Sequence, residues 1–179
     1  TIVDGQPSVD ANATVTLDDD ALAGGIANGT GDVSPDTSNL TGTLAHNFGP
    51  DGAGSIAWLT SGNPVGFDYE LSGSNLLIKQ AGITVITVSL DASGNYTVVQ
   101  NAPVKHADGA DENTQSFTLT YRVTDGDKDF KDGTLKLEVN DDAPSVYSPS
   151  SALNLLANGD FTAGTWPNAE SWGNWAVED

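Results

Sequence analysis

The sequence predicts an all-β chain: an antiparallel β-sandwich of Ig-like or Greek-key type, with the start of a second β domain at its C-terminus. Three observations predict it. Apolar residues recur in short runs at alternate positions, the pattern of half-buried strands. Gly-, Asn- and Asp-rich turn signals separate those runs. The helical period is nearly absent, and of the 25 acids twenty are Asp and five Glu, a bias toward turns and ligand loops.

Nine strands are expected, over 14–17, 40–44, 55–59, 65–71, 75–79, 83–90, 96–100, 115–123 and 134–139. The clearest are the last two. Phe117, Leu119, Tyr121 and Val123 share one face against Ser116, Thr118, Thr120 and Arg122, and Leu135, Leu137 and Val139 alternate with Thr134, Lys136 and Glu138. Asp91 to Asn95 reads as a hairpin loop. A single helical turn is expected around Asp20 to Ala23, stopped by Gly24-Gly25. Trp58 is expected in the core.

Composition narrows the function. Six Lys and Arg against 25 acids give a formal charge of −19 across 179 residues. That charge disfavours nucleic acid and anionic membranes and favours cations as partners. The chain has no cysteine, which removes disulfides, zinc thiolates and thiol nucleophiles together. Metal is then the natural source of stiffness for an extracellular domain. No apolar run is long enough to span a bilayer, and the start carries no signal-peptide pattern. A chain opening on Thr1 is expected to be a piece of a longer protein.

Between the two clearest strands lie Asp125, Asp127 and Asp129 at alternate positions, with Asp132 just beyond. Such closely spaced carboxylates repel one another unless a cation lies among them, and short acidic side chains on a turn are the usual oxygen donors to calcium. A solvated acidic turn would use the same residue types. An EF-hand does not fit, because Phe130 and Lys136 stand where its Gly and Glu belong. At 17–22 a strand runs into Asp18, Asp19 and Asp20, where one carboxylate can cap a helical turn while the others bind a cation. Asp141 and Asp142 repeat the theme. Asp51-Gly52 reads as a plain turn rather than as another ligand loop, the alternative its residues allow, and Asp108 and Asp111 receive no role.

Nothing in the sequence assembles a catalytic centre, and the chain is expected not to be an enzyme. His46 and His106 are far apart with no partner pattern, and each reads as a loop or edge histidine. Glu70 and Glu138 fall on strand faces expected to look at solvent, with no reason to pair as a glycosidase would need.

Gly5 to Val9 echoes Asp142 to Val146, and Pro7 and Pro144 stand 137 residues apart, as the starts of two successive modules would. With that spacing, four ordered motifs resemble a known family. They are Val15 to Gly25, Phe48 to Ile56, Tyr121 to Asp129, and Asn140-Asp141-Asp142-Ala143-Pro144. Together they resemble the repeat domain of large, type-I-secreted RTX adhesins of Gram-negative bacteria, over about four fifths of the chain. The resemblance implies a calcium-dependent extracellular β-sandwich repeat serving adhesion and biofilm formation at the bacterial surface. It implies Ca2+ as cofactor, with Asp18, Asp19, Asp20, Asp125, Asp127, Asp129, Asp141 and Asp142 as the acidic metal positions. Neighbouring repeats of the same chain are the expected partners of a monomeric extender. Lys128 departs from the family, which commonly has a smaller residue there, often Gly; a lysine could pair with an Asp and reshape the site.

Residues 1–144 therefore read as one module, 145–152 as a linker, and 153–179 as the first part of a following jelly-roll-like domain or a tail packed on the first. Asn158-Gly159-Asp160-Phe161, with Gly164 and Trp166, resembles the opening of jelly-roll carbohydrate-binding modules. Trp166, Trp172 and Trp175 supply an alternative function, a carbohydrate- or peptide-binding module that uses this segment.

Overall fold

A computed structural model describes residues 4–26, 32, 34–108 and 113–142. All lie in the first of two compact units, Thr1–Ser145; the second is Val146–Asp179. The expected linker, the Trp-rich segment, Pro144 and Asp111 fall outside the described residues.

Eleven strands form among the described residues: β1 Ser8–Val9, β2 Val15–Asp18, β3 Asn39–Thr43, β4 His46–Asn47, β5 Ala53–Trp58, β6 Phe67–Ser72, β7 Asn75–Gln80, β8 Ile83–Leu90, β9 Asn95–Gln100, β10 Thr114–Asp125 and β11 Phe130–Asn140. The nine expected strands are all present, joined by the two-residue pair β1 and β4. One sheet has the order β2-β11-β10-β5, the other β3-β9-β8-β7-β6. Every pairing is antiparallel except β2 with β11, which is parallel and sets Asp18 beside Asn140. The chain is thus an all-β sandwich of largely antiparallel sheets. Among the described residues no helix is long and apolar enough to cross a membrane.

The core lies between the two sheets. Phe117, Leu119, Tyr121, Val123, Leu135, Leu137 and Val139 from one pack with Leu76, Ile78, Ile86, Val88 and Val98 from the other. Phe67 and Phe117 meet across the layers edge to face, with centroids 4.8 Å apart. Trp58 is buried, as expected, with its ring edge-on to Tyr121. Tyr121 also pins the incoming chain: its hydroxyl donates to the Ala45 carbonyl at 3.0 Å and accepts from Asn12 Nδ2 at 3.0 Å.

Strand β11 starts four residues before its expected start at Thr134. The extra pairing is electrostatic. Arg122 lies opposite Asp132 in the ladder and grips its carboxylate through two bonds of 2.7 and 2.8 Å, while its guanidinium covers the Phe130 ring at 3.8 Å. The same grip holds the Asp132 carboxyl below the usual range and commits it to Arg122.

Candidate metal centres at the two ends of the sandwich

Strand β11 runs the length of the domain, so its ends lie roughly 33 Å apart at about 3.3 Å per residue. Acidic side chains gather at both. At the incoming end are Asp4, Asp51, Asp125, Asp127 and Asp129; at the outgoing end are Asp18, Asp19, Asp20, Asp32, Asp36, Asp141 and Asp142, with His106.

At the incoming end the site grows out of strand β10. Its core-facing positions run Phe117, Leu119, Tyr121, Val123 and then Asp125, so the alternation that buries apolar side chains buries a carboxylate last. A bulge opposite β5 follows at Thr124/Asp125. The turn closes through Asp125 N–H donating to the Asp129 carbonyl at 3.0 Å. Gly126 N–H donates to the Gly52 carbonyl at 3.0 Å, and a Cβ on Gly126 would collide with the Asp51 carbonyl. This close approach brings the 51–52 turn against the 125–129 turn. Carboxylate oxygens of Asp51, Asp125 and Asp127 come within 4.8 Å of one another, as do those of Asp4, Asp127 and Asp129. Asp51 also accepts from Gly5 N–H at 2.7 Å, fixing the incoming chain at the site.

At the outgoing end the parallel β2–β11 pairing brings Asp18–Asp20 to Asp141–Asp142. Asp18 caps the short 3-10 turn Asp19–Ala21 by accepting from Asp20 N–H at 3.0 Å. The turn therefore begins one residue before its expected start. Carboxylate oxygens of Asp18, Asp32 and Asp36 lie within 4.8 Å of one another, as do ligand atoms of Asp19, His106 and Asp141. Asp20 and Asp142 sit carboxyl to carboxyl.

Several of these carboxylates are buried with oxygens left unpaired. Among the described residues, neither oxygen of Asp125 or Asp20, nor Oδ2 of Asp18, accepts a well-formed N–H or O–H hydrogen bond, although these residues are 0, 7 and 1 % exposed. A buried anion so placed is costly unless a positive charge joins it. Without metal, protons fill that role. Burial, and next the carboxyl shared with Asp142, push Asp20 up to about 7. Burial likewise raises Asp18, with a smaller contribution from Asp36 and Asp32 and against the pull of the Asp20 N–H. Burial and then the Asp127 carboxyl raise Asp125 against the pull of the Asp129 N–H, while the shared Asp127 carboxyl is the main cause raising Asp4. Asp127, accepting first from Asp125, is held low. The donors are all-oxygen on Asp4, Asp51, Asp125, Asp127 and Asp129, and on Asp18, Asp32 and Asp36. That chemistry fits a hard divalent cation such as calcium.

All eight sequence-predicted site residues lie in these two groups, Asp125, Asp127 and Asp129 at one end and Asp18, Asp19, Asp20, Asp141 and Asp142 at the other. Asp4, Asp32, Asp36 and His106 join these groups with no role expected from the sequence, and Asp51 joins them through the ligand-loop alternative rather than the favoured plain turn. His106 lies outside the strands, yet its side chain is only 3 % exposed. Lys128 forms no ion pair among the described residues; its departure from the resembled pattern shows instead in the backbone, where φ is +89°. His46 caps nothing acidic, its Nδ1 lying 2.7 Å from the Leu44 carbonyl, and Glu70 and Glu138 pair with Lys79 and Lys136.

Fold and clusters together define a class: an acidic β-sandwich domain with carboxylate-rich ends. The chain belongs to the family described as a domain of unknown function (DUF5801), whose model matches residues 14–138, from just before β2 to near the end of β11. No curated protein and no solved structure matches the chain.

Proposed function

We propose that this chain is a non-catalytic, calcium-stabilised extracellular module of a bacterial surface adhesin, an extender or scaffold beside the ligand-binding region of an RTX-type, type-I-secreted protein. The observation that carries the calcium reading is Asp125: a fully buried carboxylate with no well-formed hydrogen bond among the described residues, at the end of a twelve-residue strand, with Asp51 and Asp127 beside it. The extender reading is supported by chain direction. Asp4 lies at one end of the sandwich and Asp141 at the other, so the module runs from end to end with acidic groups near each junction.

In mechanism, the ion would be held at the incoming end by Asp125, Asp127 and Asp51, with Asp4 and Asp129 beside them. These residues would fix the incoming segment through the Asp51–Gly5 bond. At the outgoing end Asp18, Asp32 and Asp36 would tie Asp32 and the 34–37 segment to strand β2, which that segment already meets through Asp18 N–H and the Thr37 carbonyl at 2.9 Å. Extracellular calcium modules bind at roughly 10⁻⁴ to 10⁻³ M. Such sites stay empty in calcium-poor cytosol and fill outside the cell, which suits export of a loose chain.

Calorimetric titration with CaCl₂ and, separately, MgCl₂ tests the reading. Calcium is expected to bind in that affinity range with magnesium much weaker, because crowded carboxylates suit a larger, irregular shell. Absence of calcium binding at millimolar concentration would refute it.

A further inference from the structure

We infer that Asp19, His106 and Asp141 form a separate site for a borderline transition-metal ion of the zinc class, alongside the all-oxygen clusters. This inference does not rest on the adhesin reading. Its first support is the histidine. The His106 side chain is 3 % exposed, and neither ring nitrogen has a hydrogen-bond partner among the described residues. An imidazole buried with both nitrogens idle is costly, and this one is aimed at acids. Nε2 lies 3.5 Å from Asp19 Oδ2 and 4.0 Å from Asp141 Oδ1.

Those distances are the second support. They exceed the range of about 2.7–3.2 Å for an N–H···O hydrogen bond. A tetrahedral ion with bonds of about 2.1 Å instead separates its ligand atoms by about 3.4 Å. The three ligand atoms lie within 4.8 Å of one another, so modest closure would complete three corners of such a shell.

Ligand identity is the third. Imidazole with carboxylate suits zinc and its neighbours, whereas calcium takes oxygen alone. Asp19 is also oriented as metal ligands commonly are, from behind. Val104 N–H donates to its Oδ2 at 3.1 Å and to its Oδ1 at 3.3 Å, and Gln100 Nε2 donates to Oδ1. Asp141 is anchored by its own N–H, which donates to the Asn113 carbonyl at 2.9 Å, while its Oδ1 accepts from Asp142 N–H at 3.0 Å. The site links the 3-10 turn after β2, the loop after β9 and the segment after β11. These three segments are distant in sequence, and one ion would bind them together.

The test is titration of the whole chain with ZnCl₂ in saturating calcium, paired with Co²⁺ as an optical probe. One zinc per chain is expected, displacing cobalt whose visible bands have tetrahedral intensity. His106→Gln and, at a part-exposed position less able to disturb folding, Asp141→Asn should each weaken zinc by more than about tenfold, the least that even outer-shell changes typically cost. Both should leave calcium binding at the incoming end intact. Zinc uptake unchanged in both variants, uptake lost on His46→Gln instead, or no uptake in calcium would each overturn the assignment. Because calcium is titrated separately, failure of the zinc site and failure of the calcium reading give different results.

Discussion

The two ends of the sandwich solve the same electrostatic problem differently. At the incoming end most of the acids come from one tight hairpin turn, and only Asp125 is fully buried; Asp4 and Asp127 are exposed. At the outgoing end, acids from positions 18–20, 32, 36, 141 and 142 converge, and Asp18, Asp19 and Asp20 are all buried. The first end is a local turn that a cation would set. The second is a junction of distant segments, where a cation would hold the topology itself. Loss of metal should therefore loosen a turn at one end and a chain closure at the other.

The largest effect expected from this contrast is on calcium binding. Asp125→Asn should lower affinity at the incoming end by at least roughly tenfold, since it removes a charged ligand from the buried position of the cluster. Asp18→Asn should do the same at the outgoing end. Titration of each variant separates the two ends, and if either substitution silenced both, the ends would be one coupled site and the contrast would be wrong.

The next effect is on pH dependence, and it belongs mainly to the outgoing end. Asp20 is raised to about 7 when folded against 3.8 for the ordinary group, so between those values the metal-free folded protein holds a proton that the unfolded chain has released. Its contribution to stability is complete below about pH 3.8 and is lost as pH rises through about 7. Melting of the metal-free protein should fall from pH 5 to pH 8, and Asp20→Asn should flatten that slope. Calcium should reverse the trend, because protons and metal compete for the same oxygens. A metal-free melting temperature that rose over this range would contradict the placement of the Asp20 carboxyl.

The smallest effect sharpens the description of the incoming turn. Lys128 has φ of +89°, a region that suits glycine, and its side chain is exposed. Lys128→Gly should stabilise the domain by about 1 kcal/mol in urea denaturation, through relief of backbone strain. Destabilisation would show that the lysine contributes contacts the geometry does not reveal.

How much of this was legible in the sequence depends on distance along the chain. The alternation from Phe117 to Val123 announced the strand, and continuing it by one step to Asp125 already marks a carboxylate in a core-facing phase. The incoming triplet was legible because its residues are neighbours. Asp51 was legible only as an alternative to a plain turn, since the pairing of β5 with the end of β10 is what carries its turn to the cluster. Asp32, Asp36 and His106 had no local signal at all. Their placement depends on the crossing of β2 to a parallel seat beside β11, which no periodicity encodes. The pair β1 and β4, of two residues each, was too short to show a pattern, and the early start of β11 came from Arg122 and Asp132 rather than from apolar spacing.

Thermal unfolding in millimolar calcium against a chelator, at neutral pH, tests the central claim most directly. At about 10 mM, roughly tenfold to a hundredfold above a dissociation constant of 10⁻³ to 10⁻⁴ M, calcium adds about 1.4 to 2.7 kcal/mol per site that binds only the folded state. An upward shift on the order of 10 °C is expected for a domain of this size. Coincident melts with and without the ion would mean that these buried carboxylates are stable without it, and the calcium-set module would fall.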